Sequence, residues 1–245
     1  DLEVGYTRRG WRAEERHVLG KLGVLQRNAS SSGRLLDQSE KGDKADIVLS
    51  ISGSTTGGKQ HSTMTMTSTD EKLILWSKEF VQSDGTQSDL EEAIAFAAAQ
   101  VLSCANEVSS GKHGGLDANA RRIYLNACSS AADVGWDTTQ LVPMFRAVLK
   151  DAPTFRPAWS RLLLAEIGKF QVASGLDQAT DQIKLDLQRD IAAARKVDSK
   201  MPEATIAEIE MTPSMPIARG ISLLYEAKAL EPDNPTVLGT RSLVL

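Results

Sequence analysis

Cysteine, histidine and aromatic residues are all scarce in this chain: two, three and 5% of 245 residues. Two cysteines cannot staple this length as a disulfide-dense small domain. Zinc needs four ligands, and Cys104, Cys128 and His113 make only three candidates, so no metal is expected. A catalytic cysteine would want a paired histidine, and the spacing offers no signature of one. Long apolar runs are missing too. The longest charge-free apolar stretch, 93–106, has 14 residues, where a spanning helix needs roughly 20. Positive charge is not in excess: 28 Lys and Arg face 32 Asp and Glu, a net of -4. Divided at Ser110, the counts are 12 basic to 16 acidic before and 16 of each after. Neither half can neutralise a phosphate backbone, so direct nucleic-acid binding is excluded. There is no start methionine and no signal-peptide pattern, so the chain is expected to be a piece of a longer polypeptide.

What is present is ordinary globular material, 41% hydrophobic and 24% charged, enough to rule out intrinsic disorder. The clearest break is Ser109-Ser110-Gly111-Lys112-His113-Gly114-Gly115, which cannot hold a helix cheaply because glycine loses the most backbone freedom on ordering. This places a domain boundary at 110/111. Before it, a helix is expected over 14–22 and a short strand over 24–28. Three β-branched or apolar runs, 46–54, 61–69 and 72–81, read as an antiparallel meander, turning at Gly57-Gly58 and Asp70-Glu71. An alanine-rich helix over 91–106, apolar on most faces, should lie under that sheet. After the break, helices are expected at about 117–133, 138–150, 157–172, 178–196, 202–210, 217–230 and 235–245.

Three junctions between those helices resemble one another, around Ala152-Pro153-Thr154-Phe155-Arg156-Pro157, Asp198-Ser199-Lys200-Met201-Pro202 and Glu231-Pro232-Asp233-Asn234-Pro235. Aligned on Pro153, Ser199 and Pro232, they are spaced 46 and then 33 residues apart. The second spacing is close to the ~34-residue tetratricopeptide period. The junctions are similar to the tetratricopeptide turn A-x-x-L-D-P-x-x-x-x-A, which Ala227, Leu230, Glu231 and Pro232 match best. Upstream, Ala45-Asp46-Ile47-Val48-Leu49-Ser50-Ile51-Ser52-Gly53, a polar hairpin, Leu75-Trp76-Ser77-Lys78-Glu79-Phe80 and a helix over 89–102 arrive in that order. This resembles the TolB-amino-terminal-like (FlgO-like) α/β domain. That family has an earlier strand and helix where 23–28 and 37–44 stand. It opens with an apolar strand; either 2–6 is a degenerate version of it, or that strand has been cut away.

The resemblance implies a fold and a function class. The fold is an α/β domain over 1–110, a small mixed or antiparallel sheet with helices. An all-α tetratricopeptide-like domain follows over 111–245. The pairing is similar to the sensory half of bacterial CadC-like membrane-integrated transcriptional regulators and of some adenylate cyclases. It implies a non-enzymatic sensory and protein-interaction module. Such a module would lie on the periplasmic side of the inner membrane, tethered through an upstream segment, and act by ligand- or partner-induced rearrangement. The alternative is a free-standing tetratricopeptide scaffold or adaptor for protein partners.

Weighed residue by residue, the chemistry-bearing motifs thin out. Gly53-Ser54-Thr55-Thr56-Gly57-Gly58-Lys59-Gln60 nearly spells a phosphate loop. However, Gln60 replaces the magnesium-binding hydroxyl, and a strand rather than a helix follows. His17, His61 and His113 read as solvated, and Trp76, Trp136 and Trp159 as core fillers. No enzymatic activity and no cofactor are expected. Cys104 and Cys128 are either two buried thiols or one disulfide. The family's extracytoplasmic placement would permit the bond, which would tie the last helix of the first domain to the first helix of the second. The apolar side of 235–245 needs cover, from further chain or from another subunit, so the partners expected are a protein or peptide and a second copy in a homodimer.

Overall fold

A computed structural model describes residues 2–6, 35–37, 47–56, 59–68, 72–82, 87–109, 115–131, 138–176, 180–212 and 214–230. The chain forms two compact units, 1–132 and 133–245. The glycine-rich run at 109–115 therefore falls inside the first unit, and the helix that follows it belongs there rather than with the helices downstream.

Five strands make the sheet of the first unit: β1 Leu2–Tyr6, β2 Leu35–Asp37, β3 Ile47–Thr56, β4 Lys59–Ser68 and β5 Ile74–Val81, in the order β2-β1-β3-β4-β5. The first three pair in parallel, and β3, β4 and β5 form the expected antiparallel meander. Leu2–Tyr6 is thus a strand inside the sheet, and Asp37 is the last residue of β2, while 38–44, the rest of the helix expected there, lies outside the described residues. The helix expected at 14–22 and the strand at 24–28 lie outside the described residues.

Thr56 pairs with Lys59, so the two-residue connection Gly57-Gly58 closes the β3–β4 hairpin, the loop length and composition that tight hairpins favour. Burial alternates along the meander, except where the register shifts at Met66/Thr67 and Leu75 and Trp76 are both buried. Ile47, Leu49, Ser62, Met64, Met66, Trp76 and Phe80 are buried on one face. Ser50, Ser52, Thr63, Thr65 and Ser77 alternate onto the other, as a half-solvated antiparallel sheet requires. Lys78, opposite Met64, runs its stem along the buried face and sets its ammonium 5.4 Å from the Phe80 ring centre.

Among its described residues this unit has two helices, α1 Gln87–Ser109 and α2 Ala118–Ser130, which pack on each other and against β5. Alanines at 95, 97, 98 and 105, all buried, let α1 approach its neighbours closely. Asp117 caps α2, its carboxylate accepting from the Ala120 amide at 2.7 Å.

The second unit is all-helical among its described residues: α3 Leu141–Asp151, α4 Arg156–Gly175, α5 Asp181–Val197, α6 Pro202–Met211 and α7 Ile217–Leu230. Each packs on the next, and α4 also packs on α6. An internal repeat is visible in both burial and hydrogen bonding. Leu141, Phe145, Val148, Phe155 and Ala158 are buried, and so are Leu187, Ile191, Ala194, Met201 and Ala204, each 46 residues on. The turns match as well. Ala152 N donates to Val148 O at 2.9 Å and Phe155 N to Ala152 O at 3.1 Å; 46 residues later Asp198 N donates to Ala194 O at 2.9 Å and Met201 N to Asp198 O at 3.2 Å. Gly220, Leu224 and Ala227 of α7 are buried 33 residues after Leu187, Ile191 and Ala194. The third junction and the helix expected at 235–245 lie outside the described residues.

Candidate functional site

Cys104 of α1 and Cys128 of α2 are joined by a disulfide, Cα–Cα 6.5 Å apart. Both residues are 1% exposed or less. The bond lies within the first unit and not across the two units, because α2 sits on the near side of the division at 132/133. One helical turn before Cys128, the buried Tyr124 donates its hydroxyl to Glu107 of α1, a second tie between the same two helices. Trp76 is in the core at 3% exposure, and Trp159 packs partly buried with its indole N–H donating to Pro153 O at 2.8 Å. His61, on the open face of the sheet, pairs through Nδ1 with Glu79 Oε1 at 3.2 Å. His17, His113 and Trp136 are outside the described residues. The phosphate-loop-like run is divided between two antiparallel strands, so no helix N-terminus stands there to receive a phosphate.

The most chemically unusual place in the molecule is in the helical unit. Arg146 of α3 reaches between α4 and α5. Its Nη2 donates to Glu166 Oε1 at 2.5 Å and to Asp190 Oδ2 at 2.8 Å, and its Nε to the same Asp190 oxygen at 3.2 Å. The Arg146 side chain is 37% exposed, Glu166 3% and Asp190 9%. Arg189 flanks the cluster, its Nε on Asp190 Oδ1 and its Nη1 on Asp186 Oδ1, both at 3.2 Å. Glu166 Oε2 is buried with no hydrogen-bond partner.

Burial, followed by the charge and hydrogen bonding of Asp190, pushes the Glu166 carboxyl up to about 8 against the opposing pull of Arg146. Burial would lower Arg146, but its hydrogen bond to Asp190 and the surrounding carboxylates outweigh that and hold it above its ordinary value. The arrangement can store a proton between helices and fix their relative rotation. Among the described residues no group of three or more His, Cys, Asp or Glu could hold a metal ion, and no helix is long and apolar enough to cross a membrane.

Reading the sequence for familiar motifs passes over this cluster, yet a signal for it exists. Glu166 falls on the stripe Leu162, Leu163, Glu166, Phe170, and Asp190 on Leu187, Asp190, Ile191, Ala194. A carboxylate at a core position of the helical period is the anomaly to look for. Comparison with known protein families and with curated proteins finds no match to the chain.

Proposed function

We propose that the chain is a non-enzymatic sensory and protein-interaction module of a bacterial signal-transducing transcriptional regulator, in which a TolB-amino-terminal-like α/β domain precedes tetratricopeptide-like repeats. The observation that carries the reading is the 46-residue recurrence of one turn, with the same two backbone hydrogen bonds and the same buried positions on either side. Arg156, which opens α4 after the first turn, donates to Asp198 in the second at 2.7 Å, so successive junctions stand side by side. Packing of α4 on both α5 and α6 supports a stacked array. In such an array each unit contacts only its neighbours and leaves a long surface for a peptide or partner helix. The five-stranded sheet with its antiparallel meander and following helix supports the first-domain assignment.

The Cys104–Cys128 bond, sealed in a core, favours an oxidising compartment such as the periplasm. Signalling would then work by population shift. A ligand, a protein partner or a second copy prefers one arrangement of the module and biases an effector elsewhere in the polypeptide. The deciding experiment reads the native polypeptide upstream of Asp1 and places its effector under a reporter. A DNA-binding pattern followed by about 20 apolar residues, with a reporter response lost when residues 133–245 are deleted, is the expected result. A leader with neither feature overturns the regulator reading and favours the free-standing adaptor.

A further inference from the structure

We propose that the proton on Glu166 is a latch of the helical unit: while the carboxyl keeps it, α3, α4 and α5 pack around a charge-balanced cluster, and its loss loosens that packing. Three geometric facts lead there. First, the charges balance without Glu166, since Arg146 and Arg189 face Asp186 and Asp190. An ionised Glu166 would be a third carboxylate for two guanidiniums, one of which, Arg189, is largely in water. Second, Asp190 takes Arg146 through both Nε and Nη2, so Glu166 shares Nη2 with it and does not hold the guanidinium alone. Third, Glu166 Oε2 is walled off from solvent and meets no donor. A charged oxygen in that position costs far more than a hydroxyl.

The remaining groups do not change the sign. On α3, Lys150 and Asp151 are exposed at the helix end. From α6, Glu203 is buried in the first turn and Glu210 accepts from Gln171 of α4 at 3.1 Å. Neither is a cation that could offset an ionised Glu166.

The direction with pH follows from linkage. A carboxyl at about 8 when folded and near 4.5 when free binds its proton more tightly in the folded unit. Its contribution to stability is complete below about 4.5 and is lost as pH rises through about 8. The latch is independent of the regulator reading, which rests on the repeat, so its failure would leave that reading standing.

The test is hydrogen–deuterium exchange of α3–α5 amides in the full, disulfide-bonded chain from pH 6.5 to 9.5, corrected for intrinsic rates. Glu166→Gln, neutral and nearly isosteric with the acid, is the comparison. In the unaltered chain, protection of α3–α5 is expected to fall by roughly tenfold or more across that range. In Glu166→Gln it should stay near the pH 6.5 value throughout. An equal fall in both proteins, no fall in either, or a Gln variant less protected than the unaltered chain at pH 6.5 overturns the proposal. Should the variant fail to fold, carbon NMR of the Glu166 carboxyl in the unaltered chain decides: titration near 8 supports the latch, and titration below 6 overturns it.

Discussion

Thr138 occupies the space that a side chain at Gly168 would need. Its Oγ1 lies 2.6 Å from where a Cβ would stand on that glycine, and the same oxygen donates to the Ala165 carbonyl at 2.5 Å. Thr138 stands ahead of α3 and Gly168 lies within α4, so this fit anchors the entry of one helix on the next. Gly168→Ala would gain about 1 kcal/mol of helix propensity. It would also drive Thr138 out, giving up a hydrogen bond of about 1 kcal/mol and overpacking the contact by about 1–3 kcal/mol. The expected outcome is a net loss of about 1 kcal/mol, read as a lower urea midpoint. Adding Thr138→Ala to Gly168→Ala should cost less than the two single losses summed. Additive losses would show that the two residues do not compete for this space.

The Cys104–Cys128 bond closes a 24-residue separation between two helices of one unit. A loop of that size restrains the unfolded chain by about 3 kcal/mol in the chain-entropy view. Cys104→Ala with Cys128→Ala is expected to lower stability by about that amount. Because Tyr124 still bonds Glu107 across the same helices, the variant should keep its helix content by circular dichroism. Loss of helicity at room temperature would mean the disulfide is needed for the fold and not only for its margin.

How much of this was legible in the sequence depends on the kind of signal. The meander was legible because Ile47-Val48-Leu49 is a short apolar, β-branched run, Met64 and Met66 alternate with threonines, and two glycines mark the turn. The helices were legible because prolines open α4 and α6. The strand Leu35–Asp37 was not, since three residues carry no period, and its parallel pairing with β1 is a long-range fact. The division at 132/133 was not legible for a related reason. The Ser- and Gly-rich run at 109–115 marks a break in helical pattern, but which unit takes α2 is decided by its packing on α1 and β5, a tertiary choice. The cluster was missed because Arg146, Glu166 and Asp190 come from three helices, separated by 20 and 44 residues from Arg146. No local spacing announces such a meeting.

Removing the cation of that cluster gives a further expectation. Arg146→Ala leaves Asp190 with only the exposed Arg189 and strips Glu166 of its one donor. Breaking a fully buried pair costs roughly 3–5 kcal/mol. With Arg146 37% exposed, screening reduces this to about 2 kcal/mol. Arg146→Lys should recover only part of the loss, because an ammonium cannot span Glu166 and Asp190 with a planar fork. Thermal unfolding of the three proteins at pH 6.5 orders them. A lysine variant as stable as the unaltered chain would mean that charge alone matters there.

On the inner face of the sheet, the Ser62 hydroxyl works against the fold. Ser62 of β4 stands opposite Gly53 and Phe80, is 1% exposed, and its hydroxyl has no hydrogen-bond partner. Burying a hydroxyl without a bond costs about 1–3 kcal/mol on protein scales. Ser62→Ala removes that cost and leaves the ladder intact, so the variant should be more stable by about 1 kcal/mol. Thr65, three residues along on the open face, shares a 3.3 Å contact with Ser77, and Thr65→Ala should move stability by less than about 0.5 kcal/mol. Urea midpoints of the two variants measured side by side separate the effect of burial from that of losing any hydroxyl on β4. A Ser62→Ala variant less stable than the unaltered chain would mean that its oxygen has found a partner inside the core.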